Sequence, residues 1–92
     1  MRLVVRYLAQ LRDAAGVGAE TVETAAAPHA ADLVRRLADA HGGRLRSLLL
    51  NSANDVQPTI LIFLGDEQIR AEQPVQWRDG DVLTLLTPMA GG

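Results

Sequence analysis

The chain has 92 residues, which fits one domain with a single compact core. Its formal net charge is −2, and its basic residues are scattered among the acidic ones, which argues against nucleic-acid binding because such proteins carry a basic stripe. The absence of cysteine excludes disulfides, thiolate zinc sites and cysteine catalysis, and no apolar run approaches the roughly 20 residues of a membrane span. These features predict a cytoplasmic protein with no nucleic-acid or membrane partner.

The first quarter of the chain predicts two strands joined by a short helix. Residues 2–8 are rich in β-branched and aromatic side chains, which is typical of a strand. Residues 10–15 are helix-prone and are followed by two closely spaced glycines, and residues 20–24 alternate as in a second strand. We therefore expect a hairpin at the N-terminus.

The central segment predicts one main helix. Pro28 suits the first turn of a helix, and residues 29–41 carry apolar side chains at helical spacing. The pair Gly42 and Gly43 ends the helix. Residues 44–50 predict a short turn, and residues 51–58 a polar loop.

The C-terminal half predicts strands and a tight turn. Residues 59–64 are apolar or β-branched without interruption and give the strongest strand signal of the chain. Residues 68–70 predict a short strand and residues 82–87 the last one. Between them, Asp79 and Asp81 flank Gly80 in a turn, where acidic side chains bond nearby N–H groups. Trp77 is expected to anchor the core beside that turn.

The order β-β-α-β-(β)-β predicts an α+β fold. One main helix must cover one face of a four- to five-stranded mixed sheet, because both elements need a partner for their apolar sides. If the first and last strands are neighbours, they lie parallel at the centre of the sheet, which is the β-grasp (ubiquitin-like) arrangement. We assign residues 1–87 to this domain and residues 88–92 to a flexible C-terminal tail.

Side-chain chemistry for catalysis is not indicated by the sequence. There is no phosphate-binding glycine loop and no supported Ser-His-Asp pattern. His29 and His41 lie at opposite ends of the predicted helix, too far apart to share a metal ion. His41 is expected to interact with the last helical carbonyls or with solvent, so no metal site is predicted.

The C-terminus ends in Gly91 and Gly92. Two residues without Cβ make a slim, pliable segment that can enter a narrow channel, and Pro88 directs it away from the sheet. The α-carboxylate of Gly92 is then the reactive group at the tip. A tail of small residues without function fits these residues equally well.

The whole chain resembles the MoaD/ThiS family of ubiquitin-like sulfur carriers. The resemblance includes residues 9–16 after the first strand, residues 31–33 early in the helix and the turn at residues 79–81. It ends with the sequence Pro88, Met89, Ala90, Gly91 and Gly92.

This resemblance implies a mechanism. An E1-like adenylating enzyme uses ATP to activate Gly92, and a sulfur donor converts the adenylate to a thiocarboxylate. The tail then donates sulfur to a biosynthetic partner enzyme, so the protein is a co-substrate that binds no cofactor of its own. The ending is similar to carriers for cysteine or specialised-metabolite synthesis. Val82 and the Thr87 to Met89 segment depart from molybdopterin-synthase subunits, and the length exceeds that of short thiamin-pathway carriers.

Partner contacts are predicted on the sheet face that the helix leaves bare. If Leu3, Val5 and Tyr7 face the helix, the period of two places a second apolar set on the other face, unless loops cover it. The predicted partner-binding residues are Leu61, Phe63, Leu86, Pro88, Met89, Ala90 and Gly91. Two other functions remain open, a ubiquitin-like modifier conjugated through Gly92 and a non-catalytic β-grasp interaction domain.

Overall fold

The computed structural model describes residues 1–25 and 29–88 as a five-stranded sheet with three helices. The elements in chain order are β1 (Arg2–Tyr7), α1 (Gln10–Ala15), β2 (Ala19–Glu23), α2 (Ala30–His41), α3 (Gly43–Leu49), β3 (Leu61–Leu64), β4 (Glu67–Ile69) and β5 (Val82–Leu86).

The sheet has the strand order β2-β1-β5-β3-β4. β1 and β5 pair in parallel, with Val5 opposite Leu83, and the other three pairings are antiparallel. The predicted β-grasp topology is therefore confirmed, including the parallel pair formed by the first and last strands. β5 lies at the centre, where both of its edges are hydrogen-bonded to neighbouring strands.

The core lies between the sheet and the helices. Alternate residues of β1 and β5 point inward and are fully buried, which is the period-two pattern of a sheet with one covered face. α2 contributes an apolar stripe at helical spacing. The largest fully buried side chains include Leu3, Tyr7, Leu11, Leu33, Leu37, Leu45, Leu49, Ile62, Leu83 and Leu85.

The region after α2 is more ordered than the sequence predicted. A seven-residue helix, α3, replaces the expected short turn. Gly42 separates the two helices with φ of 62°, a backbone conformation that favours glycine, and its N–H donates to the carbonyl of Ala38. Leu45 and Leu49 of α3 are fully buried, so the core stabilises this helix.

Three further sequence predictions need correction or lie outside the described residues. The strand predicted over residues 59–64 is limited to Leu61–Leu64. Trp77 is only partly buried and packs at the margin of the core. The position predicted for Pro28 lies outside the described residues. Among the residues that the structure describes, no helix has the length and apolar character of a membrane span.

Candidate functional site

The root of the C-terminal tail is fixed by the centre of the sheet. β5 ends at Leu86, and the N–H of Leu8 still donates to the carbonyl of Leu85 at 3.1 Å. Thr87 is 9% exposed, whereas Pro88 is exposed. The change from buried to exposed chain thus occurs between two consecutive residues. The predicted site residues Met89, Ala90, Gly91 and Gly92 lie outside the described residues.

The sheet face opposite the helices carries a partly buried apolar surface. Phe63 pairs with Thr84, and Leu61 pairs with Leu86, so these side chains share that face. Leu61, Phe63 and Leu86 are all of intermediate burial. We call this surface the outer patch; its members are Val4, Leu61, Phe63, Val82 and Leu86. Val82 was not among the predicted contacts, although its register opposite Val4 places it there.

The surroundings of the outer patch are charged at one side. Arg2 and Arg6 lie two residues before and two residues after Val4 on β1, so they share its face of the sheet, and both are exposed. The Nε of Arg2 donates to Glu23 at 2.9 Å, and this hydrogen bond raises the pKa of Arg2 above its ordinary value. Arg6 has no ion pair within the described residues. The outer patch therefore has an apolar centre and, at this side, a polar margin with Arg2 paired to Glu23, and an apolar centre with a polar rim is usual at protein interfaces.

The turn at residues 79–81 secures the starts of β1 and β5. The Asp81 carboxylate accepts from the N–H of Arg78 at 2.7 Å, and Asp79 accepts from the N–H of Arg2 at 2.6 Å. The N–H of Gly80 donates to the carbonyl of Arg2 at 2.7 Å. The predicted turn chemistry is confirmed for Asp81, and Asp79 additionally ties the turn to β1.

His41 has a different role from the one predicted. Its Nε2 lies 2.5 Å from Oε2 of Glu20, and the Tyr7 hydroxyl donates to the same oxygen at 2.7 Å. The rings of Tyr7 and His41 meet edge to face at 5.9 Å. Burial, together with the Glu20 hydrogen bond, raises the pKa of Tyr7 well above its usual range. The three side chains join β1, β2 and the end of α2.

Metal binding is not supported by the arrangement of the titratable side chains. Across residues 1–25 and 29–88, His, Asp and Glu do not form a group of three that could hold a metal ion.

A groove beside the tail root was missed by sequence analysis. It has a volume of about 380 Å³ and is lined by Gln10, Ser47, Leu48, Gln57, Thr59, Thr87 and Pro88. The lining comes from α1, α3, the loop before β3 and the end of β5. Residues from four separate segments leave no signal in any one stretch of sequence, so only the folded structure shows this groove, which we call the root groove.

Comparison with solved structures defines the class of fold. SAMP1 from Haloferax volcanii matches with a TM-score of 0.85 at 22% identity, covering 100% of both chains. The small archaeal modifier protein 1 (SAMP1) of Methanosarcina acetivorans matches with a TM-score of 0.78 at 21% identity, covering 99% of this chain and 96% of that one. The fold is a ubiquitin-like β-grasp.

Comparison with known sequences gives the family. The ThiS family profile matches residues 5–92, and the chain belongs to the ThiS family. It is also similar to the molybdopterin synthase sulfur carrier subunit of Chlamydomonas reinhardtii, with 28% identity over 92 residues that cover 100% of both chains. Members of the family are small sulfur-carrier proteins that act as substrates of partner enzymes and are not themselves catalysts.

Proposed function

We propose that this protein carries sulfur on the C-terminal carboxylate of Gly92. The observation that carries the proposal is the family match, which extends through residue 92 and so includes the Gly91 and Gly92 ending. The described structure supports it through the position of Pro88, where the tail begins. Pro88 is exposed directly after the central strand, so the last residues start from a rigid base at the protein surface.

The proposed chemistry takes place on partner enzymes. An E1-like enzyme binds ATP, and a carboxylate oxygen of Gly92 attacks the α-phosphorus, which forms the acyl-adenylate and releases pyrophosphate. Hydrosulfide released by the sulfur donor then attacks the acyl carbon, AMP leaves with the electron pair of the broken carbon–oxygen bond, and the sulfur-bound proton passes to solvent. The resulting thiocarboxylate is a better nucleophile than a carboxylate at neutral pH. This protein supplies no catalytic side chain to either step.

We further propose that the outer patch and the tail together form the partner surface. Leu61, Phe63 and Leu86 present apolar area beside the strand that leads into Pro88. A partner that covers this area would receive the tail in a fixed direction, because β5 connects the two. In this arrangement Met89, Ala90 and Gly91 occupy the partner's channel, and the small size of Ala90 and Gly91 permits a narrow passage.

The sulfur acceptor is proposed to be a cytoplasmic biosynthetic enzyme. The ending from Pro88 to Gly92 favours an enzyme of cysteine or specialised-metabolite synthesis. The relative from Chlamydomonas is named as a molybdopterin synthase sulfur carrier subunit, so the molybdopterin pathway is a second option. The thiamin pathway is a third. Incubating the thiocarboxylate form with each purified acceptor and following loss of sulfur would discriminate between them.

Intact-mass measurement tests the proposal. The chain is incubated with an E1-like enzyme, ATP and a sulfur source, and we expect a mass gain equal to replacement of one oxygen by sulfur, located at Gly92 by fragmentation. A variant lacking Gly92 should fold as before and gain nothing. An unchanged mass of the full chain, under conditions that load a known carrier, would refute sulfur loading.

Incubation in cell extract identifies a protein modifier. Conjugation through Gly92 shares the adenylate, but the acyl group passes to a lysine of another protein and the mass rises by that of the target. The likeness to the SAMP1 structures shows a common fold and leaves this function as the second candidate. Higher-mass adducts in cell extract that depend on Gly92 would favour the modifier.

A further inference from the structure

Thr87, one of the residues that line the root groove, has a buried polar atom without a hydrogen-bond partner among the described residues. Thr87 is 9% exposed, and its Oγ1 is buried yet makes no hydrogen bond with the described residues. A buried hydroxyl without a partner is unfavourable, because it has lost its bonds to water and gained none. The same residue lines the groove beside Pro88. Thr87 is the residue that precedes the tail root at Pro88.

The lining of the root groove has two kinds of chemistry. Leu48 and Pro88 provide apolar wall, and Leu48 is only partly buried by the core. Gln10 and Gln57 provide side-chain amides, and the Nε2 of Gln57 already donates to the carbonyl of Leu50 at 3.1 Å. Its amide oxygen is unpaired among the described residues, so the groove can accept a backbone N–H as well as an apolar side chain.

We propose that the root groove binds the protein's own last four residues, 89–92, when no partner is present. The segment begins at Pro88, which itself forms part of the groove, and four residues reach at most about 14 Å. Any other occupant would have to compete with a segment that is already tethered at the rim. Tethering gives the tail a high effective concentration at this site.

The chemistry of the tail matches the groove. Met89 has a flexible apolar side chain that suits an irregular wall formed by Leu48 and Pro88. A threonine hydroxyl accepts readily from the N–H two residues further on, which here belongs to Met89. Proline after Thr87 favours a turn at this point. The buried Oγ1 would thereby obtain the partner that it lacks and direct the tail over the groove.

Docking would restrain Gly92 in the free protein. A partner enzyme must then bind the undocked form. Its apparent affinity for the protein therefore equals its intrinsic affinity multiplied by the undocked fraction. This consequence rests on the proposed function, whereas docking itself does not. Tail docking is measured on the isolated chain, without partner enzymes, so that a failure of tail docking is distinguishable from a failure of sulfur loading.

Amide resonances report the docking directly. The ¹⁵N-labelled full chain is compared with a chain that ends at Pro88, and we expect shifts at Ser47, Leu48 and Gln57, which are distant from the tail in sequence. Shifts confined to residues 85–88 would overturn the proposal. Shifts at the groove that grow with protein concentration would also overturn it, since they would assign the groove to the tail of a second copy.

Two substitutions test the named contacts. Leu48→Ser should reduce the tail-dependent shifts at Gln57 by at least half, whereas Val17→Ser, at an exposed apolar residue outside the groove, should leave them unchanged. Equal effects of the two would contradict docking on Leu48.

Thr87→Val keeps the shape of the side chain and removes the hydroxyl. We expect it to raise the melting temperature of the truncated chain and not that of the full chain; equal changes would overturn the hydroxyl contact.

Discussion

Arg35 connects α2 to two loops through a single guanidinium group. Its Nε donates to the carbonyl of Asn54 at 2.9 Å, and its Nη1 lies 3.0 Å from Asp32. Its Nη2 lies 3.5 Å from Asp55 and 3.6 Å from Glu72. The Arg35 side chain is 27% exposed, but the three carboxylates are 58%, 66% and 74% exposed, so solvent screens these ion pairs. The planar arrangement of donors lets one residue bind several segments at once.

Replacing Arg35 by lysine should therefore destabilise the fold. We expect Arg35→Lys to lower the free energy of unfolding by about 1 kcal/mol, because an ammonium group cannot reach the carbonyl and the carboxylates together. Urea denaturation measures this. Arg36 is its exposed neighbour on the same helix, without an ion pair among the described residues. Arg36→Lys should change stability by less than about 0.5 kcal/mol, and equal losses would show that the network is unimportant.

Individual residues were predictable from sequence where their partners are close in the chain. Asp81 bonds the N–H of Arg78 as the turn pattern predicted, because donor and acceptor are three residues apart. His41 was assigned to its own helix end, yet its partner is Glu20, 21 residues away. A local pattern contains no information about that contact. Sequence analysis likewise could not show that the Thr87 hydroxyl is buried.

At the scale of elements, the strand order was predictable because it follows from pairing rules. A sheet that needs its helix on one face, with connections that do not cross, allows few topologies, and the β-grasp was the simplest. α3 was underestimated because its segment contains arginines and a serine among its leucines. Its stability comes from burial of Leu45 and Leu49 against the core, which sequence propensity does not measure.

The outer patch, like the strand order, was predictable from sequence, because alternate residues of a strand lie on opposite faces of the sheet. Its function can be tested by substitutions within the strands. We expect Phe63→Asp to lower the rate of sulfur loading at limiting carrier by at least about tenfold, mainly through KM, because it places a charge in the centre of the apolar surface. Ala53→Asp adds the same charge to an exposed position in the loop between α3 and β3 and should change the rate less than about twofold.

Two outcomes would argue against docking through the outer patch. The first is an unchanged KM for Phe63→Asp with the E1-like enzyme. The second is an equal loss for Ala53→Asp, which would indicate a general effect of charge on association. Far-UV circular dichroism and urea denaturation establish that each variant is folded. Leu86→Ser provides a second substitution in the outer patch if Phe63→Asp is unstable, and it should raise KM in the same direction.

The composition of the whole molecule leaves one side chain that can make its stability depend on pH in the alkaline range. The chain has no lysine and no cysteine, and Tyr7 is its single tyrosine. Cysteine, tyrosine and lysine are the side chains whose ordinary pKa values lie between about 8 and 11, so Tyr7 is the one side chain of the unfolded chain that loses a proton in this range. Any dependence of global stability on pH in this window can therefore be assigned to a known residue.

The sign of this dependence follows from the raised pKa of Tyr7. In the unfolded chain the hydroxyl loses its proton near pH 10, whereas the folded protein retains it because Tyr7 is buried beside the Glu20 carboxylate. Above pH 10 the folded state thus binds more protons than the unfolded state. The free energy of unfolding must then fall as pH rises, with a slope approaching about 1.4 kcal/mol per pH unit.

Substituting Tyr7 by phenylalanine tests this assignment. At pH 7 we expect Tyr7→Phe to lower the free energy of unfolding by about 1–2 kcal/mol, since the hydrogen bond to Glu20 is lost while the ring still fills the core. Above pH 10 the variant should lose little further stability, so the two proteins converge and then cross. Urea denaturation at pH 7, 9, 10 and 11 measures both curves. An alkaline slope that persists in Tyr7→Phe would show that unfolding at high pH has a cause other than the buried hydroxyl.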